Sequence, residues 1–194
     1  AERLPATLLL VFSAQLLALV VGVVLGVISA QRPNGMLSHF VTLLALFGYS
    51  APVFWTGIML LIGLSLMLPL FPVAGMVDAR LMDAPMWRQY LDVLHHLLLP
   101  ALTLASIFLA LYSRLCRACM LEVLGADYIR TARAKGLTER EIVYKHALKN
   151  SLGPVVTLAG LQFSAVVSGA VLVETVFSWP GLGTLALQSI LARD

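Results

Sequence analysis

Two groups of side chains in the sequence are of types that bind metals or do redox chemistry. Cys116 and Cys119 form a Cys-x-x-Cys pair, and His95 and His96 closely follow Asp92. A structural zinc site needs four ligands, and no second cysteine pair is present. Adjacent histidines on a helix point about 100° apart, so they share an ion poorly. We therefore expect no metal site, and no cofactor bound by this chain.

Motifs of nucleophilic and ATP-driven catalysis are missing from the sequence. The chain contains no phosphate-binding Gly-x4-Gly-Lys-Ser/Thr loop, no Gly-x-Ser-x-Gly nucleophile elbow and no His-Glu-x-x-His zinc motif. We therefore expect a non-catalytic chain that does not itself hydrolyse ATP.

Charge is absent from four long stretches of the chain. The composition is 60% hydrophobic and 12% charged, and no Asp, Glu, Lys or Arg lies within positions 4–31, 33–77, 93–113 or 150–173. A bilayer span needs about 20 apolar residues, because a helix rises roughly 1.5 Å per residue through roughly 30 Å of hydrocarbon. We predict an all-α membrane protein, a single transmembrane fragment over 1–194, with spans at about 7–30, 40–68, 97–116 and 154–173.

Basic residues are distributed unevenly between the connections. Positions 114–149 carry eight Lys and Arg residues, whereas positions 69–96 carry two. Cytoplasmic connections are enriched in Lys and Arg, so the first of these stretches is predicted to lie inside and the second outside. The amino terminus then lies outside, and we expect further spans before and after this chain. The net charge of +3 reflects this topology and does not indicate nucleic-acid binding.

The outer connection, 69–96, contains a predicted short interfacial helix. Pro85 suits the first turn of a helix, and the apolar residues that follow it share one face. Trp87 and Tyr90 on that face suit the headgroup layer of a bilayer. Two interpretations stay open: a surface for an outer partner, or a helix that packs only on lipid.

The inner connection, 117–153, is predicted to form a compact docking element. Tyr128 to Lys135 favours a short helix that ends at Gly136, a residue able to take the left-handed conformation. Thr138 precedes Glu141 by three residues, the spacing of a capping box that begins a second helix. A connection with this much local structure is more than a linker.

These residues resemble a known family. Tyr128-Ile-Arg-Thr-Ala-Arg-Ala-Lys-Gly-Leu, followed by His146-Ala-Leu-Lys-Asn-Ser-Leu-Gly-Pro, is similar to the cytoplasmic loop of permease subunits of bacterial ATP-binding-cassette importers, in the dipeptide, oligopeptide and nickel branch. Arg130-Thr-Ala stands where the wider family has Glu-Ala-Ala. The resemblance extends to Glu2-Arg-Leu-Pro-Ala-Thr, Ser50-Ala-Pro-Val-Phe-Trp-Thr-Gly, Leu99-Pro-Ala-Leu-Thr and Glu174-Thr-Val-Phe-Ser-Trp-Pro-Gly-Leu-Gly.

The resemblance implies a fold, a set of partners and a location. The fold is the type I importer permease bundle, with the four spans as the second to fifth of six. The partners are the lipid bilayer, a second permease chain expected to differ from this one, two ATPase subunits that bind ATP and magnesium, and a periplasmic solute-binding protein. The location is the bacterial inner membrane, crossed several times. The docking residues expected against the ATPase are Ala126, Asp127, Tyr128, Arg130, Thr131, Ala134, Lys135, Gly136 and Leu137.

Polar and helix-breaking residues within the spans are candidates for the translocation pathway. Such residues are tolerated in a membrane only where they are buried in protein or face water, although for each residue singly helix packing is the favoured alternative. The pathway candidates are Ser13, Gln15, Tyr49, Ser50, Pro52, Gln162, Ser164 and Ser168. We expect Pro52 to kink the second span.

The outer Trp-Pro-Gly loop, 177–185, is a candidate gate above the pathway. Glu174 is the one acidic residue adjoining a span, and either a gate role, a structural role or a water-exposed end position is open to it. An ordinary outer loop is the alternative for the segment. The gate or loop residues are Glu174, Phe177, Trp179, Pro180 and Gly181.

Two functions of different class follow. The first is a pore-forming subunit of an ATP-driven importer of peptides or a related small solute such as a nickel chelate, coupled through the loop around Gly136. The second is a secondary transporter or channel driven by an ion gradient, which would normally carry charged residues within its spans. None of the four predicted spans contains one, which favours the importer.

Overall fold

The computed structural model describes residues 3–81 and 84–192, and the regular structure within these ranges is helical. The helices are α1 (Leu4–Gln31), α2 (Met36–Ser50), α3 (Val53–Leu60, continued by a π-helical stretch Leu61–Met67), α4 (Met86–Leu124), α5 (Asp127–Ala134), α6 (Glu139–Glu141, continued by a π-helical stretch Ile142–Ala147), α7 (Leu148–Leu161), α8 (Phe163–Val176) and α9 (Leu182–Ala192), with a 3-10 turn at Ala79–Leu81.

The candidate membrane spans agree with the all-α membrane prediction. Within the described residues, α1 and α4 are each long and apolar enough to cross a bilayer, and two broken pairs raise the number to four if each pair counts as one span. The pairs are α2 with α3 and its π-helical continuation, and the segment Glu139–Leu161 with α8. The predicted fold class is confirmed.

The long helix α4 differs from the prediction at both ends. It has 39 residues, about 58 Å at 1.5 Å per residue, which is well beyond the thickness of a hydrocarbon core. The predicted interfacial helix after Pro85 is therefore no separate element, because it forms the first turns of α4. At the other end α4 continues beyond the predicted third span, 97–116, to Leu124.

Two of the predicted spans are interrupted. The second is broken between Ser50 and Val53, at the position of Pro52, where a kink is predicted. The fourth is predicted as one helix over 154–173, and this is wrong: α7 begins earlier, at Leu148, and a break at Gln162 separates it from α8. No proline lies at this break. The Gln162 amide donates to the carbonyl of Leu158 at 2.9 Å, so the last helical hydrogen bond of α7 forms at the residue where the chain leaves the helix.

The chain divides into two compact units. The first comprises Ala1–Leu16, Ala51–Ser106 and Ser164–Asp194, and its core includes Leu10, Leu104 and Trp179, none more than 1% exposed. The second comprises Leu17–Ser50 and Ile107–Phe163, and its core includes Tyr112 and Ile142, each fully buried.

Close packing in the second unit depends on two glycines of α1 spaced four residues apart. A Cβ at Gly26 would lie 2.6 Å from the Cβ of Cys116, and one at Gly22 would lie 3.0 Å from the Cβ of Tyr112. The Cys116 thiol points at the Val23 carbonyl at 3.7 Å. Small residues at this spacing let two membrane helices approach closely, which is how van der Waals contact stabilises helix pairs in lipid.

We expect Gly26→Ala to destabilise the protein. The added methyl group would overlap α4, and overpacking of this kind costs about 1–3 kcal/mol, so the unfolding temperature of the detergent-solubilised protein should fall by several degrees. The matched control is Gly63→Ala, since a Cβ there has nothing within 4 Å. Equal unfolding temperatures for the two variants would contradict the packing described here.

Candidate functional site

The helix α5 presents most of the predicted docking residues to solvent. Ile129 is fully buried and anchors the helix, whereas Ala126 and Leu137 are half-buried. The other seven predicted docking residues are exposed: Asp127, Tyr128, Arg130, Thr131, Ala134, Lys135 and Gly136. One anchored face and one free polar face form a surface that is available to a partner.

The carboxyl end of α5 is closed by a Schellman motif at Gly136. Gly136 has a φ of 83°, in the left-handed region, as the sequence predicts. Its amide donates to the carbonyl of Arg133 at 3.0 Å, and the Leu137 amide donates to that of Ala132 at 3.3 Å. These two bonds satisfy the last carbonyls of the helix and direct the chain sharply out of it.

The predicted capping box is present immediately after the turn. The Glu141 amide donates to the Thr138 hydroxyl at 3.3 Å, and the Thr138 amide donates to the Glu141 carboxylate at 3.1 Å. The Thr138 hydroxyl itself also donates to that carboxylate, at 2.8 Å. These bonds stabilise the ionised form and lower the pKa of Glu141.

An ion pair that the sequence analysis missed closes the same turn. The Arg133 guanidinium donates to both oxygens of Glu139, at 2.7 and 3.4 Å, across Gly136. This hydrogen bonding lowers the pKa of Glu139 and raises that of Arg133. The opposite charges six residues apart in a basic segment are a signal that could have indicated it.

Two further features of the second unit lie beside α5. The Asn150 side chain donates to the Tyr128 hydroxyl at 2.8 Å and so links α5 to α7, a contact that sequence reasoning did not identify. A cavity of about 700 Å³ is lined by three arginines, Arg32, Arg133 and Arg140, and by the single acid Glu139 among its eight lining residues. The net positive charge of this wall favours acidic groups on a partner.

The pathway candidates are dispersed along the helices. Ser13, Gln15 and Gln162 are half-buried, and the remaining candidates are exposed: Tyr49, Ser50, Pro52, Ser164 and Ser168. The Ser168 hydroxyl donates to the Ser164 carbonyl at 3.0 Å, within one helix. Their role in translocation stays a prediction.

The predicted gate or loop residues are organised around a buried carboxylate. Glu174 is fully buried near the end of α8. It accepts a hydrogen bond from the Thr7 hydroxyl at 2.6 Å and another from the Gly183 amide at 2.7 Å. A water-exposed position for Glu174, one of the three alternatives left open by the sequence, is therefore wrong.

The loop after Glu174 is fastened by its own aromatic residues. Trp179 is fully buried, its indole nitrogen donates to the Ala6 carbonyl at 2.9 Å, and its amide donates to the Glu174 carbonyl at 2.8 Å. Phe177 is 2% exposed, and its carbonyl accepts from the Gly75 amide at 2.9 Å. Pro180 is exposed and Gly181 buried. Because α9 begins at Leu182, the last residues of the predicted loop 177–185 are helical.

The two potential metal-binding pairs have other partners. A ring nitrogen of His95 lies 2.9 Å from the Leu70 carbonyl, while His96 lies 3.2 Å from the Asp92 carboxylate. His95 therefore ties the outer connection to α4. Cys116 is buried against α1, and Cys119 is half-buried.

The helical fold of the described residues agrees with the transmembrane bundle of type I importer permeases. The chain belongs to the family described as binding-protein-dependent transport system inner membrane component, which it matches over residues 22–194. The resemblance predicted from the loop motifs is thereby confirmed.

Individual relatives match nearly the whole chain. The dipeptide transport system permease protein DppB of Escherichia coli (strain K12) is 42% identical over 208 residues, covering 99% of this chain and 61% of that protein. The oligopeptide transport system permease protein AppB of Bacillus subtilis (strain 168) is 42% identical over 192 residues, covering 99% of this chain and 59% of that protein. The di/tripeptide permease protein DppB of Pseudomonas aeruginosa (strain UCBPP-PA14) is 43% identical, with 98% and 60% covered. The chain thus spans about three fifths of the length of these relatives.

We expect the turn at Gly136 to lose stability in acid. The pKa values of Glu139 and Glu141 are lowered in the folded loop, so their stabilisation is present above the ordinary value of 4.5 and is lost as the pH falls below it. Amide hydrogen exchange at residues 136–142, corrected for the intrinsic rate, should show constant protection from about pH 7 to 5 and weaker protection below that.

The control for this pH dependence is the pair of variants Glu139→Gln and Glu141→Gln. Neither glutamine titrates, so the double variant should show a lower but pH-independent protection at the same amides. A fall in protection at acid pH that persists in the double variant would assign the effect to other groups.

Proposed function

We propose that this chain is a pore-forming permease subunit of an ATP-driven importer that moves peptides or a related small solute across the bacterial inner membrane. The family membership and the relatives named for dipeptide, di/tripeptide and oligopeptide transport support this proposal. The chain itself is non-catalytic, and ATP and magnesium bind to a separate ATPase subunit.

The observation that carries the proposal is the construction of the loop around Gly136. Ile129 anchors α5, two capping arrangements hold its orientation, and a row of charged side chains lies exposed beside it. A helix held this firmly can transmit force, because movement of a partner bound to it moves the segments to which it is anchored. An unstructured connection would absorb the same movement.

The partners in the proposed assembly are those that the family resemblance implies. Two ATPase subunits bind to the docking residues of this chain and of a second permease chain, and a periplasmic solute-binding protein delivers the solute. The buried Glu174 with Phe177, Trp179, Pro180 and Gly181 forms the gate region, in a segment for which the distribution of Lys and Arg predicts an outer location.

The buried Glu174 requires that the second function, transport driven by an ion gradient, be weighed again. Buried carboxylates within membrane helices often carry protons or bind ions. Both oxygens of Glu174, however, accept hydrogen bonds from the protein, from Thr7 and from amides at the start of α9. A carboxylate used in this way acts as a helix cap, which favours the importer.

The proposed function is tested by purification and by energy dependence. A detergent-extracted complex should contain ATPase chains, and uptake in vesicles should require ATP and persist after a proton ionophore is added. If ATPase chains never accompany the permease and the ionophore alone abolishes uptake, the secondary transporter is the correct function.

We expect Gly136→Ala to uncouple uptake from ATP hydrolysis while the protein still inserts. A Cβ at Gly136 meets no atom within 4 Å, so the effect is conformational: a non-glycine residue at a φ of 83° costs roughly 1–2 kcal/mol. Uptake should fall by about tenfold, and Gly136→Asn should be milder because asparagine tolerates this conformation.

The matched control is Gly125→Ala in the same loop. A Cβ there would lie 3.5 Å from the nearest atom, in ordinary contact, and the backbone of Gly125 is not left-handed. Uptake by this variant should resemble that of the unsubstituted protein. A larger loss for Gly136→Asn than for Gly136→Ala would show that side-chain size, and not backbone conformation, limits docking.

A further inference from the structure

The start of α9 is held by two side chains from distant parts of the sequence. The first amides of a helix have no partner within it. Here the Leu182 amide donates to the Thr7 hydroxyl at 2.8 Å, while the amides of Gly183 and Thr184 donate to one oxygen of Glu174 at 2.7 and 3.4 Å. The first amide with a helical i to i−4 bond is that of Leu185, to the carbonyl of Gly181, the residue before α9, at 3.2 Å. All three remaining amides are therefore satisfied by Thr7 and Glu174.

Thr7 and Glu174 are also bonded to each other. The Thr7 hydroxyl accepts from Leu182 and donates its own hydrogen to the second oxygen of Glu174 at 2.6 Å. Thr7 is 6% exposed and Glu174 is fully buried. A negative charge at the amino end of a helix is stabilised by the helix dipole and by the free amides, so this site compensates the burial of the carboxylate.

Two glycines leave the space that the carboxylate occupies. A Cβ at Gly181 would collide with the carboxyl group of Glu174, and one at Gly183 would lie 2.6 Å from the Cα of Val171 and 2.9 Å from the carboxylate. Any side chain at either position would force α9 away from α8. We call the contact of Thr7 and Glu174 with the first amides of α9 the joint. It depends on the residue types at four positions: Thr7, Glu174, Gly181 and Gly183.

Apolar packing contributes little to the position of α9 within the part of the chain that the structure describes. Gly183 is the one buried residue of this helix, and Ile190 and Leu191 are 73% and 74% exposed. Beyond the joint, the Arg3 guanidinium donates to the Gln188 amide oxygen at 3.2 Å, an exposed contact of the kind that adds little stability. The polar joint at its amino end is what fixes α9 to α1 and α8.

We propose that Glu174 and Thr7 are positioning residues for transport: they hold α9 and the Trp179-Pro180-Gly181 turn rigidly to the first turns of α1, so that these segments move as one body. The proposal rests on the proposed function, in which this turn belongs to the gate. Trp179 belongs to the same body, because its indole donates to Ala6 in α1 and its amide donates to Glu174 in α8.

The test measures the joint and transport separately. The two native cysteines are first replaced, by Cys116→Ala and Cys119→Ala, and Arg3→Cys and Gln188→Cys are then introduced. The rate of disulfide formation between the new cysteines in native membranes reports the distance between the start of α1 and α9. This rate is normalised to the amount of inserted chain. Uptake and basal ATPase activity are then measured with the assembled complex. The variants are Thr7→Val, which keeps the shape but removes both hydrogen bonds, and Glu174→Asp, whose shorter carboxylate cannot reach both Thr7 and Gly183.

Two controls separate the joint from general effects of substitution. Thr7→Ser keeps the hydroxyl, so the cross-linking rate and uptake should both stay close to those of the protein with Thr7. Thr175→Val removes an exposed hydroxyl next to Glu174 that donates to the Val171 carbonyl of its own helix, at 2.9 Å, and should leave both unchanged.

We expect Thr7→Val and Glu174→Asp to lower the cross-linking rate by about tenfold, since hydrogen bonds to a buried charge are among the strongest in proteins. Uptake should fall in parallel while basal ATPase activity is retained. Unchanged cross-linking would overturn the joint, and reduced cross-linking with normal uptake would overturn its role in transport. Failure of both variants to accumulate in membranes would also overturn the proposal, because the joint would then be a requirement for folding.

The cross-linking result does not depend on the ATPase subunit. If no ATPase accompanies the chain but the variants still separate α1 from α9, the proposed function fails while the joint stands.

Discussion

Inside a bilayer no water is available, so every polar group of the backbone and side chains needs a partner within the protein. The described helices meet this demand locally where they can: Thr42 donates to the carbonyl of Ser38 at 2.8 Å, and Thr103 to that of Leu99 at 2.9 Å. Hydroxyls bonded in this way to their own helix can lie in apolar surroundings. Local partners are lacking at the helix ends, and the architecture depends on how each end is completed.

Two helix ends show two ways in which the unpaired backbone groups of a helix end find hydrogen-bond partners. At the end of α5, Gly136 turns the chain so that neighbouring amides satisfy the last carbonyls, and all the partners lie within a few residues. At the start of α9 the partners are Thr7 and Glu174, which are separated by 167 residues. The first arrangement can form before the rest of the chain folds, whereas the second requires that α1, α8 and α9 have already come together.

This difference suits the two segments to different tasks. The exposed charges on α5 keep their hydration until a partner replaces it, so the subunit docking proposed for this helix would be reversible at moderate cost. Glu174 has no exposure, and separating it from its donors would leave a buried acceptor without hydrogen bonds, at a cost of about 1–3 kcal/mol. The exposed surface of α5 and the joint at α9 thus use the same kinds of polar groups. The degree of burial determines whether the contact they form is reversible or rigid.

Sequence alone was sufficient for the membrane class, the break at Pro52, the left-handed Gly136 and the capping box at Thr138. Each of these depends on residues within one or two helical turns, so its physical cause is visible in a short stretch of sequence. The ion pair between Arg133 and Glu139 and the contact between Asn150 and Tyr128 were missed, because many such pairings are possible in a basic segment.

Only the tertiary structure decided three other features. It joined the predicted interfacial helix to α4, broke the fourth span at Gln162, and buried Glu174. An acidic residue at the end of an apolar run can face water or the interior, and the run itself is the same in both cases. The outcome depends on whether distant segments supply donors and leave space, here Thr7 with the amides of α9 and the glycines at 181 and 183. Such information is carried by the packing of segments far apart in sequence, and no local pattern contains it.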